Sequence, residues 1–200
     1  MPELKVCGVT DASFASAAAQ RGIDYLGFIF AEGSPRRVTP EKAREIREAV
    51  EHGSTARTAR PRFVGVFVTH VVGEMLEIAR DVPLDVIQLH GDYGVDEVSE
   101  LKAAGYEVWR LYKPVDGGED AMLLDGRRGT ESHRADWSLV AELKRAGRRV
   151  VLAGAISAEN VAAAVATGAD VIDINSSLET APGVKSVERL DSLLGELGRA

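Results

Sequence analysis

The stretch Leu4-Lys5-Val6-Cys7-Gly8-Val9-Thr10 decides the fold. Leu4 to Val6 is a short apolar run and reads as a first strand. Cys7 stands where that strand ends, Gly8 turns the chain, and Thr10-Asp11 supplies cap residues for a following helix. The one cysteine of the chain is therefore placed at a strand-to-helix turn. That edge is where parallel α/β proteins collect their chemistry.

Outward from this stretch the same alternation repeats. Tyr25–Phe30, Arg62–Phe67, Val86–Leu89, Val108–Leu111, Ala121–Leu124, Val150–Ala153 and Val171–Ile174 read as further strands, rich in Val, Ile, Leu and aromatics. Helices are expected over Ala12–Arg21, from Thr39-Pro40 to Val50, and over Val71–Arg80, Val95–Ala104, Asp136–Ala146, Ser157–Thr167 and Val187–Leu197. Lys113 to Asp120 holds Pro114, Gly117 and Gly118, so the fifth helix is expected to be short or missing. Gly53–Pro61 and Gly126–Ala135 read as polar loops. Near-continuous apolar strands alternating with helices indicate a parallel sheet buried on both faces. Eight units of about 25 residues predict an α/β fold of one domain, a compact (β/α)8 TIM barrel over residues 1–200. An open doubly wound sheet would need a glycine fingerprint after the first strand, and Cys7-Gly8-Val9-Thr10-Asp11 is not one.

Composition narrows the function. With 200 residues, 45% of them hydrophobic, the chain can bury a sizeable core. A single cysteine fits a reducing, cytoplasmic setting rather than a disulfide framework. No apolar run of about 18 residues and no signal-type start is visible, so no membrane partner is expected. A net charge of −7 lacks the basic footprint that nucleic acid requires. The expected ligand is a small molecule. Nothing in the sequence sets an oligomeric state.

Barrel closure would gather Cys7, the Phe30–Arg36 loop, His90, Lys113, Asp125, Gly154-Ala155 and Asp173 to Ser177 on one face. Cys7 is a base, a nucleophile or a small core filler. Asp125 ends an apolar strand, where a carboxyl is costly unless it faces a cleft or is paired; otherwise it is a cap or loop carboxylate. Asp173 lies inside its strand and could be a buried hydrogen-bonding group. Arg36 suits a planar carboxylate through its fork of donors, or is a surface arginine. His90 is a site residue or a satisfied core histidine. Phosphate binding is expected on the loops after strands seven and eight, with Gly154 the glycine placed for it. Four histidines and one cysteine without close pairing give no metal site. Together these features describe a small barrel enzyme with an acid, a base and an anion site.

The ordered motifs resemble one family. Lys5-Val6-Cys7-Gly8-Val9-Thr10, Tyr25–Phe30 with Ser34-Pro35-Arg36-Arg37-Val38, and Phe63–Phe67 follow the pattern of phosphoribosylanthranilate isomerases. So do Val86–Gly91, Leu123-Leu124-Asp125 with Asp136-Trp137, Leu152-Ala153-Gly154 with Asn160-Val161, Asp173–Ser176, and Glu179 with Pro182-Gly183. The likeness runs the whole chain. It implies a cofactor-free Amadori rearrangement of N-(5'-phosphoribosyl)anthranilate in tryptophan biosynthesis. By resemblance, Asp125 is the general acid and Cys7 the general base. Arg36 clasps the anthranilate carboxylate and Asp173 orients the anthranilate end. His90 lies on a matching motif with no proton-transfer role assigned, and Gly154, Ala155, Ser176 and Ser177 lie at the phosphate loops.

Departures from the family pattern cluster at the phosphate loops. Ala155 and Ser177 stand where the family usually has glycine. Gly129-Thr130-Glu131-Ser132 replaces a glycine-rich loop, with Arg127, Arg128, His133 and Arg134 around it. Such glycines let amides close on a phosphate and allow positive φ. Two alternatives therefore accompany the isomerase reading. One is a related isomerase that runs the same proton chemistry on another N-glycoside. The other is a non-catalytic binding barrel, against which the retention of both Cys7 and Asp125 counts.

Overall fold

Strands with no polar face need cover on both sides, and a closed barrel provides it. A computed structural model describes residues 1–53, 60–114, 117–126 and 136–199. Eight parallel strands close in sequence order: β1 (Glu3–Cys7), β2 (Tyr25–Ile29), β3 (Arg62–Phe67), β4 (Val86–Leu89), β5 (Glu107–Leu111), β6 (Ala121–Leu124), β7 (Val150–Leu152) and β8 (Val171–Ile174). Lys5 pairs with Tyr25 on one side and Asp173 on the other, which joins the first strand to the last. The outer ring is α1 (Ala12–Gln20), α2 (Pro40–Gly53), α3 (Val72–Asp81), α4 (Val95–Ala103), α5 (Ser138–Arg145), α6 (Val161–Ala166) and α7 (Val187–Glu196). Among the described residues no helix is long and apolar enough to cross a membrane.

Alternation along each strand divides the core in two. Leu4, Val6, Leu26, Phe28, Phe63, Phe67, Ile87 and Leu89 point outward and pack under the helices. Tyr25, Val64, Val86, Trp109, Ala121, Leu123, Val151 and Val171 fill the barrel interior. At the N-terminal end the interior is plugged by charge. Arg149 donates to Glu3 (2.6 Å), Glu107 (2.9 Å) and the Tyr25 hydroxyl (2.8 Å), and Arg62 pairs with Glu107 at 2.6 Å. That end is thereby closed, and the open mouth is at the strand C-termini.

Most boundaries follow the sequence expectation, and four local features have physical causes. First, residues 112–114 and 117–120 form no helix between β5 and β6, as the Pro114 and glycine content predicts. The outward face of β5 there carries Arg110 instead of an apolar residue. Glu119 covers it, accepting from Arg110 and Arg148 at 2.9 Å each, with Arg110 and Glu119 almost wholly buried. Gly117 leaves room for this cluster, since a Cβ on it would lie 2.5 Å from the Arg110 guanidinium carbon. Glu119→Ala removes the carboxylate from two guanidinium groups in a dry site. We expect a loss of about 3–5 kcal/mol, measured by denaturant unfolding; a loss under about 1 kcal/mol would mean that water reaches the cluster.

Second, Ser157 does not cap α6. Its carbonyl accepts from Val161 N and its amide donates to the Asn160 side chain, so residues 157–160 form a turn and the helix starts at Val161. Third, α7 is preceded by elements not anticipated from the sequence. A 3-10 turn (Ser176–Leu178) leads into an antiparallel hairpin of β9 (Glu179–Ala181) and β10 (Val184–Lys185), turned at Pro182-Gly183. Fourth, the Thr10 hydroxyl bonds the Gly183 carbonyl (2.6 Å), tying that hairpin to the turn after β1, while Asp11 alone caps α1. The polar loop containing Arg127, Arg128, Gly129-Thr130-Glu131-Ser132, His133 and Arg134 lies outside the described residues.

Candidate active site

Chemistry at the mouth begins with β1, whose inward residues are Lys5 and then Cys7. Cys7 is 5% exposed and Lys5 is wholly buried. Room for both comes from β2, where Gly27 faces them. A Cβ there would lie 3.0 Å from the Cys7 sulfur and 3.3 Å from Lys5 Cε. Lys5 Nζ donates to Asp173 Oδ2 at 2.7 Å, and its stem lies on the same inward face as the Cys7 sulfur, against Gly27. Burial works against the Lys5 charge, but Asp173 and Cys7 outweigh it and hold the ammonium above its usual range. Burial pushes the Cys7 thiol up, against the pull of the Lys5 and Lys185 ammonium groups.

Opposite stands Asp125, one residue past β6. His90, just past β4, places Nε2 3.2 Å from its Oδ2. Behind the ring, Gln88 approaches His90 Nδ1 at 3.5 Å, and Gln88 is buried. Asp125 is fixed from its other side by Gly154, whose φ is +92°. A Cβ on Gly154 would meet the Gly126 amide nitrogen at 2.6 Å and Asp125 Oδ1 at 2.9 Å. Gly154 thus has a packing duty toward the acid in addition to any role with an anion. The Asp173 carboxyl lies between the two halves, within the fields of Lys5, Asp125 and His90.

Arg36 is carried in by the loop after β2, which folds back through Val38 N to the Ile29 carbonyl (3.0 Å). Its Nε and Nη2 grip Glu179 at 2.7 Å each. Lys185 Nζ donates to the same carboxylate at 3.1 Å and to Asn175 Oδ1 at 3.1 Å. Burial would raise the Glu179 carboxyl, but Arg36 and Lys185 prevail and hold it below the usual range. Two cations against one carboxylate leave a positive charge in excess beside the mouth. Gly8 lets Arg36 lie close, since a Cβ there would be 2.8 Å from Arg36 Cδ. Lys113 lies apart at the rim, paired with Asp92 at 2.6 Å.

The two loops after β7 and β8 differ in how they absorb their non-glycine residues. Ala155 keeps a left-handed backbone, with φ +52°. Ser177 sits in the 3-10 turn and donates to the Ile156 carbonyl at 2.6 Å, so its side chain ties the β8 loop to the β7 loop. Ser176 is exposed beside it. A left-handed alanine costs about 1 kcal/mol. Ala155→Gly should therefore raise the melting temperature by about 2–4 °C, read by calorimetry. A lower melting temperature would show that the loop relaxes without strain.

Lys5, Glu179 and Lys185 complete this site and carried no role in the sequence reading. Lys5 and Glu179 had only motif matches as signals, and Lys5 otherwise looked like any strand residue between two apolar neighbours.

Comparison with known proteins places the fold and the whole chain. The family model described as N-(5'-phosphoribosyl)anthranilate (PRA) isomerase matches residues 4–195. The N-(5'-phosphoribosyl)anthranilate isomerase of Rubrobacter xylanophilus is 39% identical over 94% of this chain and 95% of its own length. That of Rhodospirillum rubrum is 34% identical over 96% and 95%. Among solved structures, the phosphoribosyl anthranilate isomerase of Thermus thermophilus superposes with a TM-score of 0.85 at 35% identity, covering 98% of both chains. Another phosphoribosyl anthranilate isomerase, in complex with reduced 1-(o-carboxyphenylamino)-1-deoxyribulose 5-phosphate, gives a TM-score of 0.81 at 26% identity over 99% of this chain and 100% of its own. With one barrel, one mouth and a match along nearly its whole length, the chain belongs to the N-(5'-phosphoribosyl)anthranilate isomerase family.

Proposed function

We propose that this chain isomerises N-(5'-phosphoribosyl)anthranilate to 1-(2-carboxyphenylamino)-1-deoxyribulose 5-phosphate, a step of tryptophan biosynthesis. The observation that carries the reading is the convergence of Cys7, Asp125 and the Arg36 cluster on one barrel mouth. A 1,2 proton shift needs one acid and one base, each within reach of its own atom. Asp125 gives its proton to the furanose ring oxygen; the C1'–O bond breaks and an iminium forms. Cys7, as thiolate, takes the proton from C2'. The resulting enolamine tautomerises to the ketone, and no group outside the protein is consumed. His90 holds the Asp125 carboxyl. Asp173 supports the anthranilate end from below.

Arg36 holds the substrate carboxylate. Glu179 occupies its Nε side and so fixes the plane of the guanidinium, leaving the Nη1 edge to a ligand. The phosphate is received by the loops of Gly154-Ala155 and Ser176-Ser177. A buried thiol that works as a base needs a reducing compartment, in keeping with the cytoplasm.

Complementation tests the reading. The gene should restore growth without tryptophan to a bacterium lacking this isomerase. Failure of a well-expressed, folded protein to do so would favour the related isomerase with another N-glycoside as substrate.

A further inference from the structure

A lysine buried in a barrel interior is a cost that the fold itself does not require. Much of the barrel interior is filled by apolar side chains, among them Val64, Val86, Trp109, Leu123, Val151 and Val171. A well-packed apolar pair in place of a buried ion pair is often as stable or more so. Yet Lys5 is 0% exposed and Asp173 7%, with 2.7 Å between Nζ and Oδ2. The second Asp173 oxygen, Oδ1, is buried with no hydrogen-bond partner among the described residues. The pair lies directly beneath Cys7, on the same inward face of β1, in a space that Gly27 keeps open.

We propose that Lys5 is a positioning residue for the base: its ammonium, pinned by Asp173, is the counter-charge that the Cys7 sulfur acquires when it gives up its proton. The proposal rests on the isomerase reading for the base role of Cys7. A thiolate formed alone in this interior would be an uncompensated buried charge. Facing Lys5 it becomes half of an ion pair, and Asp173 keeps the ammonium from swinging away. Lys5 does not reach the mouth, so it touches no substrate.

Among the described residues, few other charged groups act on the sulfur. Lys185 comes from the hairpin and Arg36 from the loop after β2, and both act on Cys7; Glu179 bridges these two. His90 from β4 and Asp125 from β6 face Asp173. Against these, Lys5 stands on the same strand as the sulfur, one inward position beneath it.

Because the chain has one cysteine, its thiolate can be titrated alone. The readout is the ultraviolet thiolate absorbance of each protein against its own Cys7→Ser counterpart. Lys5→Met removes the cation and keeps the bulk. The thiol midpoint should rise, leaving an about ten-fold smaller thiolate fraction at any pH below it. kcat should fall by about ten-fold or more, with KM unchanged. Asp173→Asn has the opposite sign, because it leaves the Lys5 ammonium facing the sulfur without a rival anion; the midpoint should fall. Opposite shifts in the two variants support the role, and either shift alone does so if the other protein fails to fold. A wild-type midpoint in a folded Lys5→Met, shifts of the same sign in both variants, or a kcat that does not follow the Lys5→Met shift would overturn it. Opposite shifts in a protein inactive on phosphoribosylanthranilate would instead leave the triad standing and remove the substrate assignment.

Discussion

Cys7→Ser and Asp125→Asn should each lower kcat by at least about 100-fold, the contribution typical of a general acid or base. The two substitutions probe opposite sides of the substrate. In Cys7→Ser the hydroxyl keeps the place above Lys5 but is far too weak an acid to be present as its anion near neutral pH. The proton on C2' then has no acceptor. In Asp125→Asn the amide keeps the shape beside Gly154 and can still meet His90, but has no acidic proton for the ring oxygen. Both residues lie at strand ends, with the barrel framework intact below them, so the melting temperature should move by only a few degrees. Steady-state turnover and thermal unfolding of the same preparations check this. Full activity in either variant would remove that residue from the reaction.

Arg36→Ala should act mainly on binding. Loss of a charge-assisted bond to the substrate carboxylate is worth about 1.5–3 kcal/mol, or roughly a 10–150-fold rise in KM. The geometry adds a second consequence. Glu179 would keep Lys185 and the Gly183 amide as partners, so the hairpin should hold while the net charge of the cluster falls from positive to zero. Arg36→Lys should recover only part of the affinity, because a point charge cannot grip Glu179 through two parallel bonds and also present an edge to the ligand. A KM unchanged in Arg36→Ala would mean that the aromatic acid is held elsewhere.

Much of the barrel was legible because strand and turn signals are local. β3, β4, β6 and β8 have the bounds expected from their Val, Ile and Leu runs, and the Pro114–Gly118 stretch foretold the missing helix. The errors arose where local signals were ambiguous. Ser157 looks like a cap, but Asn160 bonds back to its amide and uses up the first turn. Pro182-Gly183 stood in the sequence only as part of a motif match, and the strands it joins are only three and two residues long, too short for periodicity to register.

At the candidate site, the placement of the strand-end members was legible and that of their supports was not. Cys7, His90, Asp125 and Asp173 follow from position on the strands. Lys5 does not, because only closure of β1 on β8 turns its side chain inward to an anion 168 residues away. The Arg36–Glu179–Lys185 cluster likewise joins two loops that are distant in sequence.

The most direct measurement is turnover of N-(5'-phosphoribosyl)anthranilate by the purified protein with no added cofactor, followed by mass spectrometry of the product. The account predicts rapid conversion to a product of unchanged mass, the aminodeoxyribulose phosphate. Inorganic phosphate should inhibit competitively. A folded protein that leaves the substrate unchanged, or that turns it over equally well without Cys7 and Asp125, would contradict it.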